Sequence, residues 1–414
     1  MEHFVVVKNG GVTTSRGFKA TGVHAGFRKN PGRLDFALIV AEEPAKTTGT
    51  FTRNKFCAAP VIFDREQLGY DGNHCGVSKI SAVAINSGNA NAATGIDGIN
   101  IARESAGIVA DELGISVDEV LVSSTGVIGV PLPLEPFKTG VPEAAIKLSV
   151  EGGLDAARAI MTTDTHYKQV AVEIEGEALG LSGTFHIGGM VKGSGMIQPN
   201  MATMISVITT DVPLSDDVMT TVFRAAVDRS FNCVTVDSDT STNDTAIFMS
   251  SGKENEIEPG TPECGVFKEA LNYVCIELAK KIAVDGEGAT KIVQITVEGA
   301  KNNDEAFIAA RSVANSPLVK TAIAGHDANW GRVAAALGKC DIDFKQENTS
   351  IDFLKMPVLR GGLPIPFDED EALKRFEETQ IDIDCNLGEG DGHAVVWSCD
   401  LTHDYISINA DYRS

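Results

Sequence analysis

Basic residues are scarce in this chain: 35 Lys and Arg stand against 57 Asp and Glu over 414 residues, a formal net charge of −22. Such a polyanion is repelled by nucleic-acid phosphates and by anionic lipid, so neither nucleic acid nor membrane is expected as a partner, and the charge is read as serving solubility. Long apolar runs are also lacking. The first apolar patch, Phe4 to Val7, is stopped at once by Lys8, and no later run approaches the roughly 20 residues that a membrane-spanning helix needs. An Arg-rich, acid-poor leader is missing too, which gives the expectation of a cytoplasmic protein of bacterial type.

The eight cysteines (Cys57, Cys75, Cys233, Cys264, Cys275, Cys340, Cys385, Cys399) include no Cys-x-x-Cys pair, and the eight histidines show no ligand spacing. No zinc site or redox pair is recognisable, and the thiols are expected to be reduced and structural. Glycine strings fit neither the dinucleotide nor the phosphate-loop template, so Gly388-Glu389-Gly390-Asp391-Gly392 reads as a turn. The acidic run Asp237 to Asp244 begins like a calcium loop. It fails because Thr242 stands where the turn glycine is required and Phe248 where the bidentate Glu is required. It reads as a polar loop near a site, and neither a metal nor a bound cofactor is expected.

What is present is a 414-residue chain, 43% hydrophobic with 41 glycines, long enough to bury a large core. Helical and extended patterns alternate as in a mixed α/β sandwich, with no internal repeat and no disordered linker. Helices are expected over 97–113, from Ser215 onward, and over Pro262 to Val284, the last with Phe267, Leu271, Val274, Leu278 and Ile282 as its buried face. Strands are expected over 118–124 and Ile292 to Val297, and 252–263 is the most polar insertion.

The most informative stretch is residues 192–204, Lys-Gly-Ser-Gly-Met-Ile-Gln-Pro-Asn-Met-Ala-Thr-Met. A turn rich in Gly, Pro and Asn delivers Thr203 to the mouth of the apolar run Met204, Ile205, Val207, Ile208, which has the composition of a buried strand. A hydroxyl held where a tight loop meets a rigid strand is placed to be a nucleophile, but a Thr hydroxyl needs a base beside it. Its own α-amine supplies one once the chain is cut in front of it, and Ala202 leaves room for that attack. Three further strand-to-loop junctions, at 83–95, 120–126 and 235–245, join β-branched runs to small polar residues, where backbone N–H groups can face a ligand or an oxyanion.

Together with Gly17 to Gly22, Phe51-Thr52-Arg53-Asn54, Met161-Thr162-Thr163-Asp164-Thr165, Asn329-Trp330-Gly331-Arg332, Cys399 to Thr402 and Ile408 to Ser414, these segments resemble the ornithine acetyltransferase (glutamate N-acetyltransferase) family of arginine biosynthesis nearly end to end. The resemblance implies a mixed α/β sandwich of the self-processing N-terminal-threonine-nucleophile type. It implies a cut between Ala202 and Thr203 that leaves an α chain of 1–202 and a β chain of 203–414, intertwined in one compact body and assembled as a heterotetramer. Thr203 is then the nucleophile, Thr125 and Gly126 form the oxyanion hole, and Thr162, Lys192, Thr203, Glu287, Asn409 and Ser414 contact substrate. N2-acetylornithine is the implied acetyl donor and glutamate the acceptor. Acetyl-CoA as a second donor stays open, as does membership of a secondary-metabolism branch. Two other readings compete: an amidohydrolase or aminopeptidase of the same nucleophile type, with water as acceptor, and an uncut binding protein that keeps only the fold.

Overall fold

The computed structural model describes residues 3–198 and 204–411. Among these, nine strands form one sheet: β1 (Phe4–Val6), β2 (Phe18–Val23), β3 (Phe36–Phe51), β4 (Ser78–Asn89), β5 (Val120–Val127), β6 (Lys168–Glu175), β7 (Thr184–Lys192), β8 (Ile205–Thr210) and β9 (Thr245–Ser250). Their order is β1-β6-β7-β8-β9-β3-β4-β5, with β2 paired to the first half of β3. A second, six-stranded sheet is built from β10 (Ile292–Ala300), β11 (Ser350–Phe353), β12 (Met356–Arg360), β13 (Leu363–Pro364), β14 (Gln380–Asn386) and β15 (Gly392–Cys399). Both sheets are mixed, since β4–β5, β8–β9 and β10–β14 run parallel among antiparallel neighbours.

The apolar run after Thr203 becomes β8, and its composition explains its place. Met204 and Ile208 join the core under the helices Asp216–Arg229 and Pro262–Val284, whereas Ile205 and Val207 point into the opposite core beneath the helix Gly153–Ala159. A strand apolar on both faces suits the middle of a sheet covered on both sides. Each such side chain contributes roughly 1.5–3 kcal/mol on burial, against about 0–1 kcal/mol for an exposed ion pair, so packing rather than surface charge holds this centre. β8 lies between β7, antiparallel from Lys192↔Ile205 to Ile187↔Thr210, and β9, parallel from Ile205↔Thr245 to Thr210↔Ser250.

The helices start where short polar side chains can take up free backbone donors. Ser215 accepts from the Val218 N–H and Thr261 from the Cys264 N–H, so the helices Asp216–Arg229 and Pro262–Val284 begin where the sequence indicates. All five apolar residues named for the second of these are buried. The helix expected over 97–113 spans Gly95–Leu113 and stops at Gly114, whose φ of +67° a side chain would disfavour. The strand expected over 118–124 is shifted to Val120–Val127, because Val117–Glu119 forms a turn of 3₁₀ helix capped by Ser116. Val234 to Val236, although β-branched, makes only an isolated bridge, Val234 to Trp397. All eight cysteines are free thiols. No helix among the described residues is long and apolar enough to cross a membrane.

β5 is an edge strand, and Asp64 on the helix Ala59–Gln67 covers it by accepting the Val122 N–H at 2.8 Å through Oδ1. Its Oδ2 is buried without a hydrogen-bond partner. Burial pushes the Asp64 carboxyl well above the ordinary carboxylate range, against the opposing Val122 N–H. The folded chain therefore keeps a proton on Asp64 that the unfolded chain has released. Stability is full below about pH 3.9 and falls as pH rises toward the raised folded value. Asp64→Asn copies the protonated shape and cannot ionise, so its thermal midpoint relative to the parent should climb from pH 5 to pH 8. A pH-independent difference would show that Asp64 is already ionised in the fold.

Candidate active site

The carboxyl ends of β5 and β7 meet the loops that lead into β8 and β9, and here the polar residues of the sheet converge. Thr125 and Gly126 lie at the end of β5. Gly126 has φ +134° and Gly88, opposite it on β4, has φ +119°. A Cβ on Gly126 would stand 2.3 Å from the Gly88 carbonyl carbon, so this closeness of backbones requires glycine. The junction is steered from outside by Asn243, whose Nδ2 donates to Ala90 O at 2.6 Å and to Ser124 O at 2.8 Å.

Lys192 ends β7, is fully buried, and points its Nζ at Thr125 Oγ1, 3.4 Å away. Burial lowers its pKa, partly offset by the carboxylates of Asp164, Asp244 and Glu287. Asp164 is the hub beside it. One oxygen accepts from Lys168 Nζ at 2.6 Å and from the Gly193 N–H at 2.8 Å, the other from the Thr162 N–H at 2.9 Å. Burial alone would raise the Asp164 carboxyl, but Lys168, Lys192 and the Gly193 N–H together hold it well below the usual carboxylate range. Lys168 also reaches Asp285 Oδ2 at 2.5 Å, and Asp285 takes the Thr165 hydroxyl and N–H. Two residues on, Glu287 accepts from Asn409 Nδ2 at 2.7 Å, and its backbone N–H donates to Ser194 O. Gly195 leaves the room for that carboxylate, since a Cβ there would meet it at 2.3 Å.

The acidic loop disperses its carboxylates instead of gathering them round an ion. Asp237 accepts the Met196 and Ile197 N–H groups at 2.6 and 2.8 Å, and Asp244 accepts the Met204 N–H at 3.1 Å. Among the described residues no cluster of three or more His, Cys, Asp or Glu could hold a metal.

One open cavity of ≈580 Å³ collects Thr125, Gly126, Thr162, Lys192, Glu287 and Asn409. These are all the sequence-indicated site residues that the structure describes, and they come from five separate stretches of chain. Thr203, Ala202 and Ser414 lie outside the described residues. A larger cleft of ≈770 Å³ elsewhere holds none of them, so convergence of polar groups and not size marks the candidate site.

The ArgJ family model matches residues 19–414. The chain belongs to the ArgJ family. It is 46% identical over 399 residues to the arginine biosynthesis bifunctional protein ArgJ of Chlorobaculum tepidum, covering 96% of each chain. It is 43% identical over 432 residues to the protein of the same name from Thermosynechococcus vestitus, covering all of both. Among solved structures, ornithine acetyltransferase of Mycobacterium tuberculosis complexed with ornithine shares 35% identity, covering 48% of this chain and 98% of that one, with a TM-score of 0.42.

The ArgJ-family stretches carry more of the site than the residues first singled out. Asp164 lies inside the segment 161–165, and Asn243 and Asp244 lie inside the loop 235–245, so their presence near the site was readable though their contacts were not. Lys168 and Asp285 carried no local signal, because a Lys at the start of a strand and an Asp at a helix end look solvated until the fold buries them. Asp164→Asn should cost about 3 kcal/mol, the low end for breaking a buried pair because Lys168 retains Asp285. The loss should be level above about pH 4 and shrink in more acid solution, since the folded Asp164 carboxyl titrates below the unfolded one. Denaturant unfolding across that range measures it; an unchanged midpoint would remove Asp164 from its place as hub.

Proposed function

We propose that this ArgJ-family chain cuts itself between Ala202 and Thr203 and then works as a glutamate N-acetyltransferase, transferring the acetyl group of N2-acetylornithine to glutamate in arginine biosynthesis. The observation that carries the reading is the convergence of Thr125, Gly126, Thr162, Lys192, Glu287 and Asn409 on one cavity that is also lined by Asn243, whose neighbour Asp244 accepts the N–H of Met204, the residue that follows Thr203 in the sequence.

In the maturation step the Thr203 hydroxyl attacks the Ala202 carbonyl, an N-to-O shift gives an ester, and water resolves it into two chains. The freed α-amine then acts as the base for its own hydroxyl. In turnover the Thr203 oxygen bonds to the acetyl carbon of acetylornithine, the amide C–N bond breaks, and ornithine leaves with the proton. Glutamate nitrogen next attacks the acetyl-threonine ester, and the Thr203 oxygen leaves as acetylglutamate forms. The tetrahedral oxyanion is assigned to Thr125 and Gly126, where Lys192 adds positive potential at little reorganisation cost because burial already fixes it. Lys192 is equally suited to a substrate carboxylate, and the Glu287–Asn409 pair to the side-chain ammonium of ornithine.

The curated relatives are named bifunctional, which supports acetyl-CoA as a second donor to glutamate. Assembly of α and β chains as a heterotetramer, and a cytoplasmic location, belong to the same proposal. An initial-rate assay with acetylornithine or acetyl-CoA as donor tests it. Acetylglutamate should form from either in the presence of glutamate, whereas release of free acetate at an unchanged rate would mean that water is the acceptor.

Thr203→Ala should yield an intact, inactive 414-residue chain, while mass spectrometry of the parent should find a chain beginning at Thr203. Two fragments from the variant would rule out Thr203 as the scissile nucleophile. Glu287→Gln should leave cleavage intact and lower kcat/KM for acetylornithine at least tenfold, about 1.4 kcal/mol, with a smaller loss for an acetylated amino acid of uncharged side chain. Equal losses for both substrates would place Glu287 in support of the centre rather than in reading the ornithine charge.

A further inference from the structure

The ≈770 Å³ cleft shares no lining residue with the candidate active site. It lies between the helices Ala59–Gln67 and Asp216–Arg229, against the last residues of β3. Its lining holds Arg53, Arg65, Arg224 and His74 with a single carboxylate, Asp228. With His74 neutral, three arginines against one aspartate leave a local charge of +2 on a chain whose net charge is −22. Asp228 is already engaged, accepting from Asn232 Nδ2 at 2.8 Å.

Two of the three cations are not spent on protein partners. The guanidinium groups of Arg53 and Arg224 make no ion pair or hydrogen bond among the described residues, whereas those of Arg16, Arg103, Arg158, Arg360 and Arg375 are each paired with a carboxylate. Arg65 is held in position, with Nη2 on Thr52 O at 2.6 Å and its guanidinium 4.6 Å over the Tyr70 ring. Its Nε is nevertheless buried without an acceptor, and so is the hydroxyl of Thr50 in the same lining. A buried donor left unpaired is costly and rare in a folded protein, and two of them belong to residues that line this one cationic cleft.

We propose that this cleft is a binding site for a phosphate-bearing small anion. Three guanidinium groups, an imidazole and a hydroxyl offer more donors than the two oxygens of a single carboxylate can use. Tetrahedral phosphate oxygens match them, and guanidinium forks grip phosphate two bonds at a time. The cleft opens to solvent, so a diphosphate or an organic phosphate can extend outward from a phosphate held in it.

Isothermal titration of the purified protein with sodium pyrophosphate and, separately, ADP tests the site, at constant ionic strength with acetate as control. Saturable binding of one equivalent is expected for at least one phosphate probe and none for acetate. Tighter binding of ADP would assign part of the cleft to the organic moiety, and tighter binding of pyrophosphate would assign it to the free anion. The double variant Arg53→Gln/Arg224→Gln should weaken binding at least tenfold, and Thr50→Val, a near-isosteric change, should weaken it severalfold. Circular dichroism would verify that the variants are folded. Absence of saturable binding by both phosphate probes, or affinity in the folded double variant within twofold of the parent, would overturn the proposal.

Discussion

The buried charge array Asp164–Lys168–Asp285 is the interaction on which the candidate site depends. Lys168 is 2% exposed between two carboxylates that are themselves buried. Such an array has little to give in net stability, because desolvation consumes most of what attraction supplies. Its value is positional. Asp164 fixes Thr162 on one side and Gly193 on the other, while Asp285 fixes Thr165 and anchors the turn that presents Glu287. Three loops that are far apart in sequence are thereby referenced to one ammonium group. Lys192 lies next to the array, and the surrounding carboxylates let a fully buried lysine stand beside Thr125.

How much of this was legible in the sequence follows from whether a residue's environment is local. Ser215 announced its helix because a cap is a contact over three residues, and Thr261 caps the helix Pro262–Val284 in the same way. The strand after Thr203 was legible because apolar residues on both faces specify a central strand. The Gly126 requirement could not be read, since it comes from Gly88 on another strand. The pairing of Lys168 with Asp285 spans 117 residues and has no periodic signature. The candidate site residues were reached through resemblance to a family, and the structure then supplied what spacing could not, the meeting of the six it describes in one cavity.

Charge distribution separates two kinds of polar concavity. In the candidate active site a buried lysine and a buried carboxylate, Lys192 and Glu287, line the same cavity, so charges of both signs face it. The cleft beside β3 carries an excess of positive charge and is under-satisfied, with two of its three guanidinium groups lacking protein partners on an otherwise acidic molecule. The two differ in physical character even though each is polar.

The insertion of β8 between β7 and β9 has a consequence for the life history of the molecule. A cut ahead of Thr203 would leave the strand Ile205–Thr210 hydrogen-bonded to Lys192–Ile187 of the upstream piece, and β9 would remain zipped to β3. The pieces would stay together by sheet pairing and by cores that draw on residues from both. Folding, however, would have been carried out by a single chain whose halves met at the high effective concentration of a tether. Once nicked, an unfolded copy would have to reassemble from two free partners at their dilute concentration. The cut would then act as a ratchet: the protein folds once as a unimolecular reaction, and its later persistence depends on how slowly the interleaved sheet opens.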